Sequence, residues 1–234
     1  MAPALRDQSS TPKKDHNWDA ALGPAFTALA SDPMLGVSVV SGELVVLFIN
    51  EQAARMFTSE DTPLSASSLL GRDLKFLCPA VWAAERVEIV RRVIVSRRPV
   101  LTRTIWYGHQ LVNWVQLIDS EYAPGGAVFV ISRRIEGDLE NRRDIPEHAE
   151  VVFSQVMTLG PLDALSSREL EILALIGQGM TIRAIAKFLH RSEKTIEHHR
   201  LSIGRKLQAK DRAQLIEHAR LAGLTIADAS RLRL

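Results

Sequence analysis

The chain has 234 residues, room for one large domain or two small ones, and its 46% hydrophobic content is enough for packed cores. The single cysteine, Cys78, excludes an intramolecular disulfide; no uncharged apolar run approaches the roughly 18 residues of a membrane span, and the N-terminus lacks the apolar core of a secretion signal. The expectation is a soluble, cytoplasmic protein with no membrane partner, whose net charge of +2 hides an asymmetry: Pro161 to Leu234 holds 13 Lys and Arg against 8 Asp and Glu, and Met1 to Gly160 holds 16 against 19. The C-terminal part is therefore the one suited to a polyanion.

Residues 1–17 are polar, contain two prolines and read as a disordered tail. Trp18, Leu22, Phe26 and Leu29 then fall on one helical face, which Asp32-Pro33 ends. From there the period changes. GVSVV, a turn at Ser41-Gly42-Glu43, and LVVLFIN read as a β-hairpin. Glu51 to Phe57 is a short helix, Thr58 to Ser68 a polar loop, and Pro79 to Ser96 a longer helix with the stripe Ala83, Val87, Val90 and Ile94. Arg91, Arg92, Arg97 and Arg98 are expected on its exposed side. Three strand-like runs follow, Val100 to Tyr107, Gln110 to Ser120 and Ala127 to Arg133, with turns at Gly108-His109 and Pro124-Gly125-Gly126. Strands, helices and strands in that order predict an α+β module with an antiparallel sheet.

Glu136 to Gly160 is a charged connector, with a further helix after Pro146 that places Val152, Phe153, Val156 and Met157 on one side. That stripe is open to packing within the chain or between two copies.

Leu165 to Leu207 reads as three capped amphipathic helices. Ser166 and Glu169 fit a capping box, and Leu165 with Leu170 a hydrophobic staple. Gly177 and Gly179 stop the first helix, Thr181 caps the second (Ile182, Ile185, Ala186, Leu189 inward), and His190-Arg191 makes the turn. Ser192 caps the third, whose Ile196, Ile203 and Leu207 face the core. At about 100° per residue, Lys194, Glu197, His198, Leu201 and Arg205 fall on the other side. One helix fits a major groove, so Glu197, His198 and Leu201 are candidates for base edges. Lys194, Thr195, His199, Arg200, Arg205 and Lys206 lie nearer the flanks and suit phosphates. His198-His199 is a poor metal pair, because adjacent helical positions diverge. Asp211 and Gln214 open a fourth helix lined by Leu215, Ile216, Ala219 and Ala222 and closed by Gly223.

LSSRE, IGQGMTIRAIAKFL and SEKTIEHHR leading to RKL resemble the C-terminal DNA-binding domain of the LuxR/GerE family of bacterial transcription regulators. The resemblance covers about 60 residues and implies an all-α, four-helix domain whose third helix reads the major groove. It implies backbone contacts by Lys194, Thr195 and His199, and dimerisation by the fourth helix through Leu215 and Ala219. Double-stranded DNA, a second copy of the chain and RNA polymerase are the partners it implies. Three positions depart from the family's pattern: Gly204 replaces a bulkier residue, Gln208 a helix-ending glycine, and Glu197 a Lys or neutral polar side chain.

DPMLGVSVVSGELVVLFINEQAARMF, LLGRDL and the later strands resemble a PAS sensor domain, with Asn50 and Gly71 the best matches. Such domains hold a small ligand or dimerise. Gly71 to Leu77 is similar to the flavin-binding light sensors, but Leu74 stands at their reactive cysteine, and no histidine between Leu74 and Arg98 is available for haem. No cofactor is assigned. Trp106 and Trp114 are candidate ligand-lining residues, set against a plain core role.

The expected division is a tail at 1–17, a PAS-like module at 18–135, a linker at 136–160, a helix-turn-helix domain at 161–226 and a tail at 227–234. The function read from it is sequence-specific DNA binding controlled by the PAS-like module. The alternative is a protein-interaction adaptor with a degraded DNA face, motivated by Glu197, Leu201 and Gly204. Enzyme classes are disfavoured, since no metal-ligand cluster, glycine-rich phosphate loop or nucleophile motif is found.

Overall fold

The computed structural model describes residues 23–58, 63–118, 126–137, 139 and 149–234. The expected tail 1–17, Trp18 and Leu22 of the first stripe, and Pro124-Gly125 of one turn lie outside the described residues. Helix α1 (Pro24–Ser31) starts on a proline, whose fixed φ suits a first turn, and buries Phe26 against Phe48 and Phe129.

Strands β1 (Gly36–Ser41), β2 (Val46–Ile49), β3 (Val100–Trp106), β4 (His109–Ile118), β5 (Ala127–Arg134) and β6 (Glu150–Phe153) form one sheet in the order β2-β1-β5-β4-β3-β6. Neighbours are antiparallel except β6, which runs parallel to β3. Helices α2 (Glu51–Phe57), α3 (Ala66–Leu69), α4 (Leu74–Leu77) and α5 (Ala80–Ser96) join β2 to β3. The hairpin β3–β4 turns on Tyr107 and Gly108, both at positive φ (48° and 77°), which matches a primed two-residue turn one residue earlier than expected.

Asn50 ties the start of this module together. Its Oδ1 accepts from Val37 N and Ala53 N at 2.9 and 2.8 Å, and its Nδ2 donates to Ala30 O and Leu35 O at 3.0 and 2.9 Å. One side chain thus caps α2 and fixes α1 and β1 relative to it. At Gly36, β1 passes so close to α2 that a Cβ would sit 3.0 Å from Met56 Sδ and 3.1 Å from Ala53 Cα.

The connector differs from the sequence expectation. Val152, Phe153, Val156 and Met157 do not share a helix; they lie in β6 and in the short strand β7 (Val156–Met157). An open sheet edge at β3 offers backbone partners along its whole length, and β-branched Val151 and Val152 suit pairing there. Residues 227–234 are also no tail. They continue the 3₁₀ turn Ile226–Ser230 and end in β8 (Leu232–Arg233), which pairs with β7.

The C-terminal part contains a 3₁₀ turn (Gly160–Ala164) and helices α6 (Ser167–Gly177), α7 (Ile182–Phe188), α8 (Glu193–Leu207) and α9 (Arg212–Leu221). The fold is α+β, with an antiparallel-dominated sheet followed by helices. Among the described residues no helix is long and apolar enough to cross a membrane.

Strand alternation sends β3 side chains to two faces. Val100 packs with Val90 and Val93 of α5, and Trp106 with Trp82, on the helical side. Arg103 and Ile105 point the other way, to the C-terminal helices. Ile105 joins one core with Met157, Leu159, Leu170, Ile203 and Leu215. Arg103 is 1% exposed; Nη1 and Nη2 meet Asp228 at 2.5 and 2.9 Å, Nη2 also donates to Gly223 O at 2.5 Å, and Nε donates to Gln110 Oε1 at 2.8 Å. The guanidinium is buried but hydrogen-bonded at all three nitrogens, which is how a core accommodates such a group. Gly223 is needed at this junction: a Cβ there would fall 2.3 Å from Gln110. The sheet is thus sandwiched between its own helices and the C-terminal domain.

Candidate nucleic-acid interface

Four local caps build the helical domain. The Ser166–Glu169 capping box is reciprocal: Ser166 Oγ accepts from Glu169 N at 3.3 Å, and Glu169 Oε2 accepts from Ser166 N at 2.8 Å. Thr181, Ser192 and Asp211 accept from the third residue beyond them at 3.2, 3.1 and 2.9 Å. His190, at φ 51°, lets the chain turn between α7 and α8.

Ile196 and Ile203 anchor α8 in the core, with Leu207 partly buried beside them. The helix packs on α6, α7 and the 3₁₀ turn Gly160–Ala164 of its own domain. The opposite side is open: Lys194, Thr195, His198, Leu201, Arg205 and Lys206 are exposed, and Glu197, His199 and Arg200 are half-buried. Leu201, 51% exposed, is a large aliphatic group in water without a packing role. The docked sheet module therefore leaves this face uncovered.

Two of the expected basic groups carry internal partners. Arg200 grips Glu197 through Nε at 3.0 Å and Nη2 at 2.5 Å. This contact holds the Glu197 carboxyl below its usual range and raises the Arg200 guanidinium. The departure at Glu197 is thus balanced from one helical turn away. Lys206 Nζ lies 2.6 Å from Glu169 Oε2, and Ser202 Oγ donates to Glu169 Oε1 at 2.7 Å. Burial alone would raise the Glu169 carboxyl, but hydrogen bonds from Lys206, the Ser166 backbone and Ser202 bring it down to about 2. Lys206 therefore links α8 to the cap of α6 besides standing at the edge of the face.

Sequence reasoning missed Lys210. It lies in the α8–α9 turn and lines one groove with Leu201, Gly204 and Arg205, while its backbone N donates to Gln214 at 2.6 Å. Its signal was available as a lysine just before a capping Asp. Gln208 adopts φ 55°, the left-handed conformation that a glycine would take at no steric cost.

Two other expectations are redirected. Leu215 and Ala219 are 1% and 3% exposed and lie inside the protomer's own core. Gly177 of α6 approaches so closely that a Cβ there would stand 2.5 Å from Ala219 Cβ. A small pair lets α6 and α9 touch, so these residues hold the domain together and offer no free face to a second copy. Trp106 and Trp114 do not line the cavity of the sheet module. Trp106 Nε1 donates to Phe57 O at 3.2 Å, and Trp114 packs on the other face with Leu101 and Val112. The tryptophan that does line the cavity is Trp82, from α5, with Phe57 of α2 the other aromatic residue in its wall. Cys78 also lines it, its thiol pushed up to about 11 by burial, with Arg86 opposing the shift.

Residues 163–219 match the GerE family model, described as bacterial regulatory proteins, luxR family. The chain is 37% identical over 73 residues to the transcriptional regulatory protein DegU of Brevibacillus brevis, which covers 31% of each protein, so it spans about a third of that relative's length. Among solved structures, a ligand- and DNA-bound complex of VqmA from Vibrio cholera is 18% identical, covering 88% of this chain and 91% of that one with a TM-score of 0.47. The PAS domain of nitrogen regulation protein NR(II) from Vibrio parahaemolyticus is 14% identical, covering 48% of this chain and 99% of that one with a TM-score of 0.35. Residues 163–219 are a LuxR-type helix-turn-helix domain, and PAS domains are among the chain's structural neighbours.

Proposed function

We propose that this chain is a DNA-binding transcription regulator that inserts α8 into the major groove under the control of its PAS-like sheet module. The observation that carries the reading is the open face of α8: Lys194, His198, Leu201 and Arg205 are exposed while Ile196 and Ile203 hold the helix from behind. In this reading His198 and Leu201 meet base edges, with Leu201 suited to a thymine methyl. Glu197 is presented by Arg200 and suits a cytosine amino group. Lys194, Thr195, His199, Arg205 and Lys210 hold phosphates, and Arg200 and Lys206 contribute charge from their internal pairs. The protein acts without catalysis, in the cytoplasm, as a homodimer on a pseudo-palindromic site, with RNA polymerase as the downstream partner. Because Leu215 and Ala219 face inward, pairing of copies uses surfaces other than theirs. The domain division follows the core: the sheet module through β6, and a helical domain from about Gly160 to the C-terminus, docked on it.

A gel shift against genomic fragments at two salt concentrations tests this. The full chain is expected to bind, with affinity falling steeply as salt rises, and Lys194→Ala with Arg205→Ala to weaken binding and flatten the salt slope by about 2. Binding absent at low salt, or unaltered in the double variant, contradicts it. The adaptor reading draws on the Glu197 charge; it predicts capture of a protein by the same face with no DNA affinity.

A further inference from the structure

Between the inner face of the sheet and α5 lies a cavity of about 130 Å³. Its wall is mainly aliphatic, with Val40, Leu44, Val90 and Val115 among the lining residues. Ser38, Thr58, Cys78 and Thr102 also reach that wall, but three other polar residues in it stand out: Trp82 and Arg86, one turn apart on α5, and Asn113 on β4. Each carries a buried atom with no hydrogen-bond partner among the described residues, namely Trp82 Nε1, Arg86 Nη1 and Asn113 Oδ1. Trp82 and Asn113 are 4% and 5% exposed.

The remainder of each group is fixed. Asn113 Nδ2 donates to Thr102 Oγ1 at 3.0 Å, which identifies Oδ1 as the free end. Arg86 Nη2 donates to Ser154 Oγ at 3.4 Å, and the guanidinium rests 5.1 Å above the Trp82 ring. Glu85 gives the Arg86 charge only partial relief: its nearest oxygen stands 3.6 Å from Nη2 while the carboxylate accepts from Ser154 Oγ and Gln155 N. Burial lowers the Arg86 guanidinium from its ordinary value, with Glu85 opposing. Buried polar atoms left unpaired cost on the order of 1–3 kcal/mol each, more when charged, so a cavity with three of them is built for an occupant that pairs with all three.

The helix wall asks for an acceptor, preferably an anion. The sheet wall asks for a donor. The apolar wall asks for hydrocarbon between them, and at about 130 Å³ the cavity is close to the roughly 150 Å³ that takes benzene, which limits that hydrocarbon to a single ring at most. We propose that the cavity binds a single-ring organic acid with a hydroxyl or amino donor. Its carboxylate accepts from Arg86 Nη1 and Trp82 Nε1, and its donor bonds to Asn113 Oδ1. The proposal rests on the reading of the sheet module as a sensor and supplies its ligand class. Arg86 also touches Ser154, between β6 and β7, so the group that holds the acid is bonded to the connection leading to the helical domain.

The test is calorimetric titration of the full chain with the three isomeric hydroxybenzoates, benzoate and phenol, without DNA. At least one hydroxybenzoate is expected to bind roughly tenfold or more tightly than either benzoate or phenol, because each lacks one polar partner. Arg86→Gln is expected to remove the preference for the acid and leave phenol binding unchanged. Asn113→Leu is expected to remove the gain from the hydroxyl and leave benzoate unchanged. Binding of none of the probes, equal affinity for phenol and the hydroxybenzoates, or an Arg86→Gln chain that keeps the acid preference overturns the proposal. The comparison among probes needs only the native protein. It is also independent of the gel shift, so a failure of DNA binding and a failure of the ligand class are read separately.

Discussion

The helical domain and the sheet module are specified over different distances. In the helical domain each helix start is fixed by a residue three positions away: Ser166 with Glu169, Thr181 with Ala184, Ser192 with Thr195, Asp211 with Gln214. In the sheet module the decisive contacts join residues far apart in the chain, Arg103 with Asp228 and Gln110 with Gly137. Local specification makes a domain whose outward face is free for another task. Long-range specification spends its polar groups on holding layers together and on lining a cavity.

The sharpest way to break that contrast is at Arg103. Arg103→Leu strands Asp228 and the Gly223 carbonyl in the interface between the layers. The expected loss is about 3–5 kcal/mol in denaturant unfolding, at the lower end because Arg231 also reaches Asp228 at 2.6 Å. Adding Asp228→Leu is expected to recover part of it. An unchanged midpoint in the single variant contradicts the buried-pair account.

A second effect belongs to the helical domain, where Lys206 and Ser202 of α8 reach back to the capping box of α6. The native Glu169 carboxyl lies at about 2, below its unfolded value of roughly 4.3. The stability it contributes is present above pH 4.3 and is lost as the pH falls through the native value. Glu169→Gln is expected to cost on the order of 2–3 kcal/mol at pH 7 and to flatten the acid limb of the stability profile. A wild-type profile that is level from pH 5 to pH 2 contradicts the assignment.

The smallest effects test the departures along α8. A Cβ on Gly204 would meet Ala209 O at 3.4 Å, ordinary contact, so Gly204→Ala is expected to stabilise by about 0.5–1 kcal/mol. Gln208→Gly relieves a left-handed non-glycine residue and is expected to gain about 1 kcal/mol. A fall in the melting midpoint of either variant contradicts the reading of these two positions.

The same contrast explains what the sequence made legible. The caps, the periodicity of α6 to α9 and the open side of α8 were readable because their causes lie within four residues. The strands from Val100 onward were readable as strand-like runs set between turn signals. The strand β6 was not, since Glu150–Phe153 becomes a strand only through the β3 edge fifty residues earlier. The role of Arg103 was not legible either, because its partner is 125 positions away. Trp106 and Trp114 were the wrong aromatics for the cavity. The turn register puts Trp106 over Trp82 and Trp114 on the far face, so the lining tryptophan comes from a helix. Leu215 and Ala219 were legible as an apolar stripe, but a stripe does not say whether its partner is α6 or a second copy.

The central claim is that the open side of α8 lies in a major groove. The most direct measurement places a photocrosslinking residue at Leu201 in the full chain and maps its adducts on a duplex selected for binding. The account predicts adducts at base edges in the major groove of each half-site, and none from a crosslinker placed at Val95 on α5. Adducts confined to the sugar–phosphate backbone, or formed only from the sheet module, would contradict it.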